Sequence, residues 1–567
     1  MTRVRLLRFI SVAAFVAVIV AMTVEGLRFR RWTWDQTAGI RYVNDMYNAW
    51  KWGSRAANEG YFSLYDRVVQ ESPDHQYGLD YVPLRLAIMT RWAQWAKATF
   101  PNTTRWRRDY EFNAPLLWLN TAMELAAAVG MFFLVRHWIR KEHESPTPWW
   151  FRSRWQQWRN GQLPVDPPVE PAPFRFMEGY WLALLAAGLV WFDPSSVFSG
   201  HGRPTWDVWV IPFYVWALFF ASRNNWFLAG VLVGVGAMLK GQQLVVAPFF
   251  LLWPIFSLRF GALMRWVIGF TLSAGLILSP WLVWLTPQWG PLLLCAGAVA
   301  VGPVLYLIVR CVPALRAWAS VRAAKWTSAF ALATSLACTP LMFNVSRAWL
   351  QVGFIYGVDK MPNLEISGAS SLAGILQNRF GWRYNDLFDI PLTHATMTMK
   401  SLLLTIGYAL IAVSAAAAAW HARNRDRRFL LAAAAPWLIY FTVFPQMHER
   451  YLLWAALMTA VAAAFGPGMI AFHLLLTAFS WIMGINQMLR DMGAERFGQD
   501  ISPSFGRSLY DFTQNTFPDS AWATMLICAV WLWAMFSPTM RFRRFGNASQ
   551  SPMTSCEHPQ ELLGDHQ

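Results

Sequence analysis

With 567 residues, 56% hydrophobic and 14% charged, the chain carries far fewer charges than the roughly 25% of a soluble domain, and soluble cores cannot absorb so many apolar side chains. A surface facing lipid accounts for them. The net charge of +16 goes with basic residues that sit mostly at the ends of apolar runs, which reads as membrane topology and contact with anionic headgroups, not as nucleic-acid binding, while five cysteines without CxxC or Cys/His spacing point to neither a disulfide framework nor a zinc site.

The first apolar run, Leu6 to Leu27, is too long for a signal-peptide core and lacks a small-residue cleavage site, so it reads as a retained anchor. Further runs cover 114–137, 177–193, 205–221, 226–240, 243–258, 262–286, 289–310, 326–344, 398–420, 428–445, 450–465, 467–486 and 518–537. The expectation is an all-α polytopic membrane protein with about 14 transmembrane helices. Basic clusters orient it: Arg3, Arg5 and Arg8; Arg140, Lys141, Arg152, Arg154 and Arg159; Arg310, Arg316, Arg322 and Lys325; Arg423, Arg425, Arg427 and Arg428; Arg541, Arg543 and Arg544. Counting spans puts all of them, and both termini, on one side, read as cytoplasmic.

The opposite face receives three large segments, 28–113, 345–397 and 487–517, with short amphipathic helices expected in them. Residues 139–175 contain Pro164, Pro167, Pro168, Pro171 and Pro173 and read as an extended cytoplasmic linker. Residues 1–540 form one transmembrane domain, and 541–567 a disordered tail. The 35 Trp suit interfacial belts and sugar-stacking platforms alike.

Five polar segments fall on that same outer face. In Tyr42-Val-Asn-Asp-Met-Tyr-Asn-Ala-Trp50, Tyr42, Met46, Ala49, Trp50 and Gly53 recur at helical spacing. Asp45 borders that stripe, either facing a cavity above the membrane or paired with a nearby base. In Tyr77-Gly-Leu-Asp-Tyr-Val-Pro-Leu84, Asp80 and Tyr81 line a polar site or make a capped turn. Gly200-His-Gly-Arg-Pro-Thr-Trp-Asp207 starts a helix at Asp207, where a carboxylate also suits the helix dipole. Lys240, in Met238-Leu-Lys-Gly-Gln-Gln243, lies at the outer end of its span, where the inside rule does not explain a positive charge. It neutralises a phosphate or snorkels. Phe444-Pro-Gln-Met-His-Glu-Arg-Tyr451 sets three ionisable residues between apolar runs, a costly arrangement that points to function. Arg450 suits a forked grip on phosphate, His448 a hydrogen bond to it, and Glu449 the orientation of either. Basic groups beside a carboxylate at a bilayer surface suit a lipid phosphate substrate and an acid/base step.

In order and spacing, Asp45-Met-Tyr-Asn-Ala-Trp50, Gly60-Tyr, Asp80-Tyr-Val-Pro-Leu84, the Asp207 helix start, Lys240-Gly-Gln and His448-Glu-Arg-Tyr451 resemble the GT-C superfamily of polyprenyl-phosphate-sugar-dependent glycosyltransferases, in the flavour of bacterial GPI-mannosyltransferase-like proteins and, more distantly, dolichol-pathway glucosyltransferases. The resemblance covers most of the membrane domain and implies a GT-C-like helical bundle. It also implies an inverting transfer of a hexose, mannose among the candidates, from a polyprenyl-phosphate donor to a lipid, glycan or protein acceptor. The setting it implies is the extracytoplasmic face of a bacterial inner membrane. Carried over, Asp45 is the general base, with Asp35 in the same loop as competitor. Arg450, His448 and Lys240 hold the donor phosphate, and Glu449, Asp80, Tyr81, Asp207 and Tyr451 shape the pocket. The loop Pro362-Asn-Leu-Glu-Ile to Asn378-Arg-Phe-Gly-Trp382 departs from the family's Asn/Trp-rich loop, and the first loop has no DxD-type pair, so no metal is assigned.

Three other functions fit parts of this pattern. A transporter or flippase for lipid-linked saccharides would set ionisable residues deep along a path. A polysaccharide polymerase or ligase using a diphosphate-linked donor would not need Asp45. A non-catalytic scaffold leaves the outer charge cluster without a reason.

Overall fold

The computed structural model describes residues 3–37, 44–60, 63–72, 74, 77–103, 109–143, 175–285, 311–312, 329, 346–356, 363–366, 368–389, 396–492 and 503–537. The expected spans 289–310 and 326–344, most of the Pro-rich linker, the tail from 538, Tyr42 and parts of the second and third outer segments lie outside these residues.

The chain is a helical membrane protein. Among the described residues seven helices are long and apolar enough to cross a bilayer, within Phe9–Gln36, Tyr110–Glu142, Gly179–Gly202, Phe260–Leu278, Met399–Arg423, Pro467–Asn486 and Asp519–Phe536. Four shorter apolar helices accompany them, Asp207–Ser222, Trp226–Leu239, Gln243–Phe256 and Phe429–Val443.

In chain order α1 is Arg3–Gln36, α2 Asn44–Glu59, α3 Ser63–Glu71, α4 Pro83–Thr99, α5 Tyr110–His143 and α6 Arg175–Trp191. Then come α7 Val210–Ser222, α8 Trp226–Leu239, α9 Gln243–Phe256 and α10 Phe260–Leu285. After residues 286–345, α11 is Met399–Arg423, α12 Phe429–Val443, α13 Leu452–Thr459, α14 Pro467–Met492 and α15 Pro503–Phe536.

Two expectations are corrected. The first helix does not end at 27 but runs to Gln36. The arginines past that point are accommodated, Arg28 on Glu25, Arg31 on Asp35 and Arg30 on Glu124. The expected span 450–465 is a composite: a 3-10 turn at Glu449–Tyr451, α13, and a second 3-10 turn at Ala460–Ala464. Its alanines and Thr459, whose hydroxyl turns back to Ala456 O, tighten the second half. The described chain is otherwise helical, as expected, with one short ribbon. Leu387–Asp389 (β1) and Thr396–Thr398 (β2) pair antiparallel in the second outer segment, Phe388 opposite Met397.

Close helix contacts rest on small residues, as lipid-embedded bundles require. Gly230 and Gly234 of α8 face α10 so closely that a Cβ on Gly230 would stand 2.0 Å from Trp266 O. Around them α7, α12 and α13 are buried on nearly every face, and the Tyr214 hydroxyl donates to Ala433 O at 2.9 Å.

The basic clusters at 140–141 and 423–428 meet at one end of the bundle. Lys141 donates to Ser222 O at 2.8 Å, Arg427 pairs with Glu142 at 3.0 Å, and Arg428 donates to Ser537 O at 2.9 Å. The C-terminal ends of α5, α7 and α15 and the start of α12 are thereby gathered there. Asp207 and Lys240 sit at the other ends of α7 and α8, so the polar segments collect at the far face.

Candidate functional site

Asp45 stands in the first turn of α2, an amphipathic helix whose Met46, Ala49 and Trp52 are buried against α4. Its carboxylate borders that buried face and is 19% exposed. Arg450, 405 positions later, donates from Nη1 to Asp45 Oδ2 at 2.7 Å. The same guanidinium brings Nε to 3.4 Å from Asp207 Oδ2, without hydrogen-bond geometry at either atom. Asp207 Oδ1 accepts from Lys240. A relay of alternating charge, Asp45–Arg450–Asp207–Lys240, therefore joins four segments of the sequence. Its inner half is dry: Asp207 is 1% and Lys240 8% exposed.

The backbone around the relay is fixed by neighbouring aromatics and a strap. Trp454 Nε1 donates to Asp207 O at 2.8 Å, and Tyr451 stacks on Trp454 at 4.6 Å. The Lys240 ammonium lies 5.4 and 5.3 Å from those two rings. Gln242 donates to the Tyr451 hydroxyl at 3.3 Å. Upstream, Gln446 takes a left-handed φ of 60°. Its N–H donates to Leu364 O at 2.7 Å, and Ile366 N–H donates to Met447 O at 2.9 Å, so the second outer segment straps the His448-Glu-Arg turn in place.

Two further arginines, Arg85 and Arg203, are each 8% exposed. Arg85 lies 3.9 Å over the Tyr81 ring, and both act electrostatically on Asp45. Burial pushes the Asp45 carboxyl up, but Arg450, then Arg85, Arg203 and Lys240, outweigh it and hold the group below its ordinary value. Arg450, Arg85, Arg203 and Lys240 all act on Asp45, and among them stand the buried Asp207 and, within reach of Arg450, Asp80. Beside Arg203 and Arg450 lies a cavity of about 20 Å³, bounded also by Ser195, Ser199 and Thr205, room for about one water-sized body. Adjacent along the chain, Asp193 and Pro194 close one end of a larger, mainly apolar groove of about 550 Å³ between α1, α6 and α14, lined by Met22, Trp181, Leu185 and Leu474 among others.

Of the residues singled out in the sequence, Asp45, Asp207, Lys240 and Arg450 come together. Tyr81 is buried beside them, its hydroxyl 3.5 Å from Asp45 O. Asp80 is exposed at the rim, within electrostatic reach of Arg450. Glu449 is fully buried, and His448 lies 3.6 Å from it and near the Tyr451 ring. Asp35 does not join the relay; it is 51% exposed and pairs with Arg31 at 3.1 Å. Arg85 and Arg203 were missed, although each sits within or just past a segment marked by Pro and Asp, at the start of an outer-face helix. Among the described residues no three His, Cys, Asp or Glu side chains gather as metal ligands. No protein-family model matches the chain, and no curated protein matches it.

Proposed function

We propose that the protein is an inverting glycosyltransferase that moves a hexose from a polyprenyl-phosphate donor to a lipid, glycan or protein acceptor at the extracytoplasmic face of a bacterial inner membrane. The observation that carries this reading is the relay itself: Asp45, 19% exposed, is bound to Arg450, which stands between it and the buried Asp207–Lys240 pair. The seven long and four shorter apolar helices, the stretch Leu452–Ala464 and the two apolar runs outside the described residues supply the fourteen crossings of this reading.

Asp45 takes the proton from the acceptor hydroxyl, whose oxygen attacks the anomeric carbon from the face opposite the phosphate. The bond from that carbon to the phosphate oxygen breaks, and its electron pair leaves with the polyprenyl phosphate. Charge grows on the leaving oxygens, so fixed donors gain strength as the reaction proceeds. Arg450 and Arg203, which line one small cavity, take that task in this reading. Lys240 is committed to Asp207 and acts by its field, holding Asp207 so that Arg450 is drawn between two carboxylates. His448 and Asp80 shape the rim, with Glu449, Tyr81 and Tyr451 behind them. The apolar groove between α1, α6 and α14 suits the hydrocarbon chain of a lipid-linked donor.

The test is sugar transfer by purified protein in lipid, with radiolabelled polyprenyl-phosphate-mannose and -glucose against a diphosphate-linked donor. Turnover of a monophosphate donor supports the reading. Turnover of the diphosphate donor alone moves it to a polymerase or ligase, and movement of lipid-linked sugar across the bilayer without transfer moves it to a flippase.

A further inference from the structure

Arg203 and Asp207 both lie on the turn between α6 and α7, and that turn is tied to the bundle by two side chains of α5 that the sequence did not single out. Asn120 is fully buried. Its Nδ2 donates to Gly200 O at 2.7 Å, and its Oδ1 accepts from Trp209 Nε1 at 2.6 Å. One helical turn on, Glu124 is 2% exposed. Its Oε1 accepts from the Ser196 hydroxyl at 3.2 Å, and its Oε2 from Arg30 Nε at 2.5 Å, with His201 Nε2 3.3 Å away. Arg30 is itself fixed, donating to Gly26 O at 2.9 Å and Trp191 O at 3.1 Å and lying 3.5 Å over the Trp191 ring.

We infer that Asn120 and Glu124 are positioning residues that set where Arg203 and Asp207 stand. That these two then hold a lipid phosphate rests on the proposed function; the clamp itself does not. The anchored positions are 196, 200, 201 and 209, so they bracket both charged residues. Within the bracket the chain makes a π-helical turn at Phe198–Gly202, and Arg203 N–H donates to Phe198 O at 2.8 Å, so displacing Gly200 displaces Arg203. Gly200 is required by closeness: a Cβ there would meet Glu124 Oε1 at 2.6 Å. Helix packing alone needs no such arrangement, because apolar side chains would join α1 to α5 without the desolvation cost of a buried ion pair. Directional bonds to a carbonyl at 200 and an indole at 209 specify the path of the turn, which apolar contacts do not.

The paired change Arg30→Gln with Glu124→Gln opens the clamp without leaving one charge buried alone, and Gly200→Ala pushes the turn from α5 with the clamp residues intact. Each is compared with wild type in nanodiscs for amide exchange over residues 196–209 and for binding of undecaprenyl phosphate, alone and combined with Arg203→Ala. Faster exchange confined to 196–209 is expected. Affinity should fall about tenfold in the clamp variants, with no further loss once Arg203 is gone, as for residues acting through one another. Unchanged exchange in that segment overturns the inference, and so do losses that multiply in full with Arg203→Ala, the signature of a merely structural role. Wild-type protein that binds no undecaprenyl phosphate sinks the proposed function, and the exchange result then decides the clamp alone. If the paired variant fails to fold, Gly200→Ala carries the same comparison.

Discussion

Arg450→Gln is the most informative single change, because one guanidinium serves two carboxylates, Asp45 at 2.7 Å and Asp207 at 3.4 Å. At an effective dielectric of about 20, a charge pair at the shorter distance attracts by about 6 kcal/mol. Burial opposes this at Asp45 and is the largest single influence there, so the carboxyl stays low only while the cations together outweigh it. Arg450 is the strongest of them, with Arg85, Arg203 and Lys240 behind. Its removal takes away the largest influence opposing burial, and the Asp45 pKa rises. In wild type the depressed pKa contributes stability above the unfolded value of about 3.9, lost as pH falls through the folded value. In the variant that contribution shrinks, and the acid limb of kcat/KM moves to higher pH. At neutral pH the variant also lacks a charge-assisted hydrogen bond to the leaving phosphate, about 1.5–3 kcal/mol, which lowers kcat/KM by about 10- to 150-fold. The assay is sugar transfer followed from acidic to neutral pH for both proteins. An acid limb that stays in place while the rate falls would refute the coupling of Arg450 to Asp45.

Asp207→Asn leaves Lys240 buried without its carboxylate and should destabilise the fold by about 3–5 kcal/mol; thermal unfolding in detergent measures it, and Asp207→Asn with Lys240→Met should recover most of the loss. Asp35→Asn breaks an exposed pair, so Tm and transfer should both stay at wild-type levels, with a change below about 1 kcal/mol. Gly230→Ala forces α8 away from the Trp266 backbone and should cost about 1–3 kcal/mol, seen as a lower unfolding midpoint without a shift in the pH profile.

The apolar runs made the membrane character legible, and the basic residues at 140–141 and 423–428, two of the five clusters, meet at one end of the bundle. Helix ends were harder. Arg28, Arg30 and Arg31 look like a stop signal, yet each has a partner within or beside α1, and the Arg30 partner lies 94 positions away. The break in 450–465 escaped because alanine runs suit α-helix and 3-10 turns alike. Asp45, Asp207, Lys240 and Arg450 were marked by chemistry that a turn does not need, whereas their pairing crosses up to 405 positions and no local pattern reports it. Asn120 and Glu124 hide on a helix whose neighbours are apolar.

The central claim is that Asp45 removes the acceptor proton in a transfer from a polyprenyl-phosphate sugar. The measurement is transfer from the labelled donor by wild type, Asp45→Asn and Asp35→Asn in lipid, with donor binding measured on the same samples. Loss of transfer in Asp45→Asn alone, with donor still bound, is the expected result. Transfer by Asp45→Asn at the wild-type rate would contradict the account and take Asp45 out of the chemistry.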